Sequence, residues 1–165
     1  MNVLTISGST RQESSNSKFL DHLKDVIDIH TFERTELHLD LPLFRSEMDC
    51  NPIPSAVKHW RSKIKNADVV IICIPEYIHN MPAVIKNGLE WLTSSGELVD
   101  KKVIAMTLTP HEPRGQKAMQ SLIWSLQALN AHIIVEVSIY KNQIDYDPNL
   151  GGEVVEILHE VFGLL

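Results

Sequence analysis

The sequence predicts an α/β fold, an open sheet of five parallel strands in the order 2-1-3-4-5 with helices on both faces, built as one domain over residues 1–165. Three observations carry this prediction. Short apolar runs that suit strands alternate along the chain with stretches whose apolar residues recur at helical spacing. Residues 69–74, VVIICI, are apolar throughout, as a strand covered on both faces of a parallel sheet requires. A length of 165 residues with 44% hydrophobic content is enough for a sizeable core.

The elements follow in order. Residues 3–6 read as a first strand, and residues 18–29 as a helix with Phe19, Leu20, Leu23, Val26 and Ile27 on its buried side. A second strand is expected near residues 29–32, followed by an irregular, proline-marked stretch at 39–44 that includes Leu39 and Asp40. Pro54 suits a first helical turn, and Ala56, Val57, Trp60 and Ile64 form the stripe of the helix behind it. The third strand is 69–74; Pro75 ends it, Pro82 can start a helix, and Val84, Ile85, Leu89 and Leu92 supply that helix's apolar face. Residues 102–108 are a fourth strand, Met119, Leu122, Ile123, Leu126 and Leu129 a helical stripe, and 133–139 a fifth strand. Val154, Leu158, Val161 and Leu165 mark a last helix.

Composition narrows the function. The net charge is −6, and the lysines and arginines are scattered among acids, which argues against nucleic acid or an anionic membrane as partner and for small molecules or proteins. Cys50 and Cys73 belong to no metal-spaced set, so no structural disulfide is expected. Eight histidines show no ligand spacing, and no metal site is expected. Without a secretory leader pattern or an apolar run of membrane-span length, the chain reads as cytoplasmic.

In a sheet of this order, ligands bind beyond the carboxyl ends of the strands where the strand order reverses, here between the first and third strands. The loop after the first strand lies in SGSTRQESSN, residues 7–16. It leads into a helix amino terminus, whose free N–H groups and partial positive charge favour a phosphate. Ser9, Ser14 and Ser15 add hydroxyls, Asn16 an amide and Arg11 a planar fork for phosphate oxygens. The loop lacks both the P-loop ending and GxGxxG, so neither a nucleoside triphosphate with magnesium nor a Rossmann dinucleotide site is favoured. On the plainer alternative, the serines or Asn16 only cap the helix and Arg11 is a solvated charge.

The loop after the third strand, PEYIHNMPAVIKNGLEW at residues 75–91, narrows the choice. Together with the first loop it resembles the NADPH-dependent FMN reductase family, flavodoxin-like enzymes that include quinone, chromate and azo-dye reductases. Gly8, Ser9, Arg11, Ser14 and Asn16 match the family's first motif; Pro75, Glu76, Tyr77, Pro82, Lys86, Asn87, Glu90 and Trp91 match its second. The resemblance implies that the first loop binds the FMN phosphate, that the backbone of Pro75, Glu76, Tyr77, Ile78, His79 and Asn80 lies along the flavin ring, and that Tyr77 walls the flavin or substrate pocket. Ile78 stands where many relatives have asparagine. The third loop, TLTPHEPRGQKAM, has Gly115 as its single glycine where relatives are often glycine-rich, yet Thr109, Pro110 and His111 are still expected to approach the flavin.

The function so implied is an FMN-dependent oxidoreductase that takes hydride from NADPH or NADH and passes it to a quinone, nitro, azo, flavin or similar acceptor. The flavin carries the chemistry, so no catalytic side chain is required. Two alternatives stay open: an electron carrier that binds FMN without NAD(P)H turnover, and a scaffold that has lost flavin. The resemblance also implies a homodimer or homotetramer, with Trp91 and Trp124 as candidate interface positions, while Lys86 and Asn87 are expected to face solvent or cap turns.

Overall fold

In the computed structural model of the chain, residues 1–11, 13–26, 31–36, 41–50, 52–144 and 152–165 are described. Five strands, β1 (Asn2–Ser7), β2 (Thr31–Glu36), β3 (Val69–Ile74), β4 (Lys102–Thr109) and β5 (His132–Tyr140), form one parallel sheet in the order β2-β1-β3-β4-β5. The helices are α1 (Ser15–Val26), α2 (Ser55–Asn66), α3 (Ala83–Glu90), α4 (Gln116–Ala128) and α5 (Gly152–Gly163). The predicted flavodoxin-like architecture and strand order are thus the observed ones.

The alternation of side chains along a strand divides the core in two. Leu4, Ile6, Val70 and Ile72 pack against Trp60 of α2, Ile85 of α3 and Leu122 of α4. On the other face Val3, Val69, Ile71 and Cys73 meet Phe19, Leu20 and Leu23 of α1 and Leu158 of α5. Every residue of β3 is buried, which is why its sequence carries no polar alternation. β2 starts and ends later than expected. It is an edge strand paired only with β1, and its sequence TFERTE is mostly polar, so apolar content misplaced it. Ile27 and Ile29, assigned from sequence to the first helix and second strand, and Leu39 and Asp40 of the proline-marked stretch, lie outside the described residues.

The segment at 41–50 is sewn to α3 and α2. Asn87 accepts the Phe44 N–H at 2.7 Å and donates to the Pro42 carbonyl at 3.0 Å, and the Trp91 indole donates to the same carbonyl at 2.8 Å. Asn87 therefore holds a neighbouring segment rather than facing solvent, and Trp91 is wholly buried, a core residue. Arg61 donates to the Trp91 carbonyl and pairs with Asp49 at 2.8 Å. The Ser94 hydroxyl, with help from Arg61, holds the Asp49 carboxyl below the usual carboxylate range against the opposing effect of burial. Among the described residues no helix is long and apolar enough to cross a membrane.

Candidate functional site

The loops after β1 and β3 leave adjacent parallel strands at the same sheet end. Gly8 presses the first of them onto β3: its N–H donates to the Cys73 carbonyl at 2.8 Å, and a Cβ at this position would lie 2.7 Å from Ile74 Cγ2 and 2.9 Å from Ile85 Cγ1. Only a residue without a side chain permits that approach. Ser14 then caps α1, its Oγ accepting the Asn16 N–H at 3.1 Å. The Ser9 hydroxyl accepts the Arg11 N–H at 3.4 Å, and Asn16 Oδ1 accepts the Cys73 thiol at 3.2 Å. Burial pushes the Cys73 thiol pKa up, so it remains a donor. These bonds leave the Ser15 hydroxyl, the Asn16 NH2 and the Arg11 guanidinium with no protein partner among the described residues.

The loop after β3 is held from outside itself. Oε2 of Glu76 accepts the N–H groups of Gly115, Lys117 and Ala118 at 3.1, 3.1 and 3.2 Å. The acid of one loop thus caps the amino terminus of α4, where Gly115, at φ +102, has no side chain to do so. Beyond Glu76 the chain folds into a two-residue hairpin turn, Tyr77 and Asn80 exchanging backbone hydrogen bonds at 3.0 Å. Both turn residues, Ile78 (φ 51) and His79 (φ 55), occupy the left-handed region that such a turn demands. Isoleucine is a poor occupant there, and it is 98% exposed. Asn80 ties the hairpin to α4 by accepting the Ser121 hydroxyl at 2.5 Å.

Between these loops lies a cavity of about 330 Å³. The first loop contributes Ser9, Arg11, Ser14, Ser15 and Asn16, the second Pro75, Glu76 and Tyr77, and the third Thr109. All nine were singled out from sequence. Pro110, also expected to approach, lines the wall as well, whereas Ile78, His79, Asn80 and His111 do not. The hairpin carries the first three away from the wall, and the exposed His111 ring bonds the Glu112 carbonyl at 2.9 Å. Leu108, Arg114 and Lys141 line the cavity without having been anticipated as site residues. The first loop brings hydroxyls, an amide and a guanidinium to the hollow, Pro75, Tyr77, Leu108 and Pro110 add apolar lining, and Glu76, Arg114 and Lys141 add charge. Among the described residues no group of His, Cys, Asp and Glu is placed to hold a metal ion.

Residues 1–144 match the sequence profile of the family described as NADPH-dependent FMN reductase. The chain belongs to this FMN reductase family. Its relatives in the family include the NADH:(hydroxy)cinnamate reductase subunit CrdA of Vibrio ruber, 33% identical over 125 residues, covering 73% of this chain and 59% of that protein. The NADPH azoreductase of a Bacillus species is 26% identical over 161 residues, covering 98% of this chain and 88% of the relative. The match thus spans less than two thirds of the first relative and most of the second. Among solved structures, the flavoenzyme NAD(P)H:(acceptor) oxidoreductase FerB of Paracoccus denitrificans superposes with a TM-score of 0.82 at 21% identity, over 99% of this chain and 94% of that one. The FMN reductase fold is therefore shared along the chain, and the motif loops fall where its strand order reverses.

Proposed function

We propose that this FMN reductase family member binds FMN in the cavity and moves hydride from NADPH or NADH to a small quinone, nitro, azo or flavin acceptor. The carrying observation is the set of unpartnered donors, Arg11, Ser15 and Asn16, gathered at the α1 amino terminus in a cavity that Pro75, Tyr77, Leu108 and Pro110 also line. That combination suits a ligand with a phosphate at one end and a flat ring at the other, and the volume lies in the range of about 300–1,000 Å³ typical of small-molecule sites. Relatives described as (hydroxy)cinnamate, azo, flavin and quinone reductases support the same reading. When bound, FMN supplies the hydride transfer.

The chain's own part is to bind and orient. Ser9, Ser14, Ser15 and Asn16 surround the phosphate end, and Arg11 neutralises it with a bidentate fork. Glu76 keeps the backbone of residues 75–77 fixed against α4, so the lining there does not drift. Arg11→Ala is expected to weaken FMN binding by about tenfold or more while changing riboflavin binding little, since a charge-assisted hydrogen bond is worth about 1.5–3 kcal/mol. Fluorescence titration of flavin-stripped protein with both ligands decides this; equal losses for the two would remove the phosphate role.

The reading includes a homodimer or homotetramer. Trp124 is 64% exposed on α4, beside a hollow bounded by Leu89, Glu90 and Ser121, and tryptophan is enriched where protein surfaces meet. Sedimentation is expected to give a dimer or tetramer mass; a monomer mass at every concentration would refute it.

A further inference from the structure

Arg114 and Lys141 bring positive charge to the cavity from its β4 and β5 side. The register of those strands makes them neighbours. Tyr140, which precedes Lys141, pairs with Thr109, and the Thr109 hydroxyl donates to the Arg114 carbonyl at 2.9 Å. The Arg114 N–H also donates to the His111 carbonyl at 3.0 Å, so this backbone is held twice. Neither charged side chain has an ion-pair or hydrogen-bond partner among the described residues. Lys141 is half-buried, which limits the screening of its charge by solvent, whereas Arg114 is exposed. Glu76 is the one acid among the described residues that line the cavity, and its carboxylate is already engaged. Oε2 accepts three N–H groups at the amino terminus of α4, and Oε1 lies 3.5 Å from His79 Nδ1. Among the described residues, the field on this side of the cavity is therefore positive and unopposed.

That field does not serve the phosphate, which has Arg11 and the α1 amino terminus. One strand lies between β1 and β4, and two lie between β1 and β5. Neighbouring strands are about 4.8 Å apart, so the β4 and β5 ends sit roughly 10 and 14 Å from the β1 end. A phosphate at α1 leaves this side of the cavity to the flavin ring, which is uncharged when oxidised. Reduction changes that. The C–H bond of the dihydronicotinamide breaks, its hydrogen and electron pair form an N–H bond at flavin N5, and the nicotinamide leaves as a cation. The ring keeps one negative charge, spread over N1 and the neighbouring carbonyl oxygen, until the hydride passes on to the acceptor. Fixed cations nearby favour that charged form over the neutral one. Resting on the reductase reading above, we infer that Lys141, assisted by Arg114, stabilises the negative charge the flavin ring gains on reduction and so raises its midpoint potential.

The test is a redox titration of FMN-loaded wild type, Lys141→Gln, Lys141→Arg and the double variant Arg114→Gln/Lys141→Gln. Wild type is expected to give its flavin a midpoint above that of free FMN in the same buffer. The double variant is expected to lose about tenfold or more in affinity for reduced relative to oxidised FMN, a fall of about 30 mV or more for a two-electron couple. Lys141→Gln alone should give the larger share, and Lys141→Arg, which keeps the charge and changes the shape, should hold the wild-type potential. Sulfite adds to N5 and leaves the same charge on the ring with no electron donor, so it probes the field without turnover; the double variant is expected to bind it about tenfold more weakly. A wild-type midpoint at or below that of free FMN overturns the assignment, and this comparison stands even where a variant does not fold. So does an unmoved potential in the double variant, or an equal fall in Lys141→Arg and Lys141→Gln. An equal loss of oxidised and reduced FMN would give the cations to the phosphate, and a change confined to KM for a carboxylated acceptor would give them to the substrate; either overturns it. If wild type binds no FMN, the reductase reading fails and this inference with it; if FMN binds and the potential does not move, only this inference fails.

Discussion

Replacing Glu76 with alanine is expected to lower stability by about 1–3 kcal/mol and to weaken FMN binding by about tenfold or more. One carboxylate oxygen accepts three N–H groups at the amino terminus of α4, those of Gly115, Lys117 and Ala118. Loss of a helix cap costs about 0.5–2 kcal/mol, and removing a negative charge from the positive end of a helix adds about 0.3–1 kcal/mol. The ligand effect has a separate cause. Glu76 is the tie between the loop after β3 and the loop after β4, so without it two walls of the cavity lose their common reference. Glu76→Gln keeps an acceptor oxygen and discards the charge, and should recover roughly half of the lost stability. Urea unfolding followed by tryptophan fluorescence, with FMN titration of the same samples, measures both; an alanine variant as stable as wild type would show that the cap contributes nothing.

Gly8→Val should be costlier still, at about 3 kcal/mol or more, with loss of measurable FMN binding. A first side-chain carbon here would meet Ile74 and Ile85 at 2.7 and 2.9 Å. Both isoleucines are buried, at 0% and 1% exposure, so neither has solvent to swing into. The chain would relieve the overlap by lifting the loop off β3, stretching the Gly8 bond to the Cys73 carbonyl and displacing the phosphate end of the cavity. Gly152→Ala is the matching control, since nothing lies within 4 Å of a Cβ there. Thermal melts in which Gly8→Val unfolds with wild type would sink the argument.

How much of this was legible in the sequence depended on whether a signal was local. β3 announced itself because all six of its residues are buried, and the two motif loops could be placed because each directly follows a readable strand. β2 was misplaced because an edge strand covered on one side need not be apolar. Trp91 and Trp124 look alike as letters. One sits at the end of α3 within indole reach of Pro42, the other on the outer side of α4, and only packing separates them. Glu76 matched the second motif, but its partners lie 39 to 42 residues further along the chain. Arg114 and Lys141 share a wall through the β4–β5 register, in which Thr109 faces Tyr140 across a sheet that no single stretch encodes.

The pairing of β1 with β3 has a consequence for folding. Asn2 bonds Asp68 across 66 residues, and the cavity exists only after that contact closes, because its two principal loops spring from those strands. Long-range parallel pairing of this kind is the slow, late part of assembly. No single loop carries half of the site, so an occupant finds nothing to hold in the unfolded ensemble. Its binding free energy is then added in full to the stability of the sheet, about 2.7 kcal/mol at a hundred times the dissociation constant. The cofactor supply and the lifetime of the folded chain are coupled through two strands.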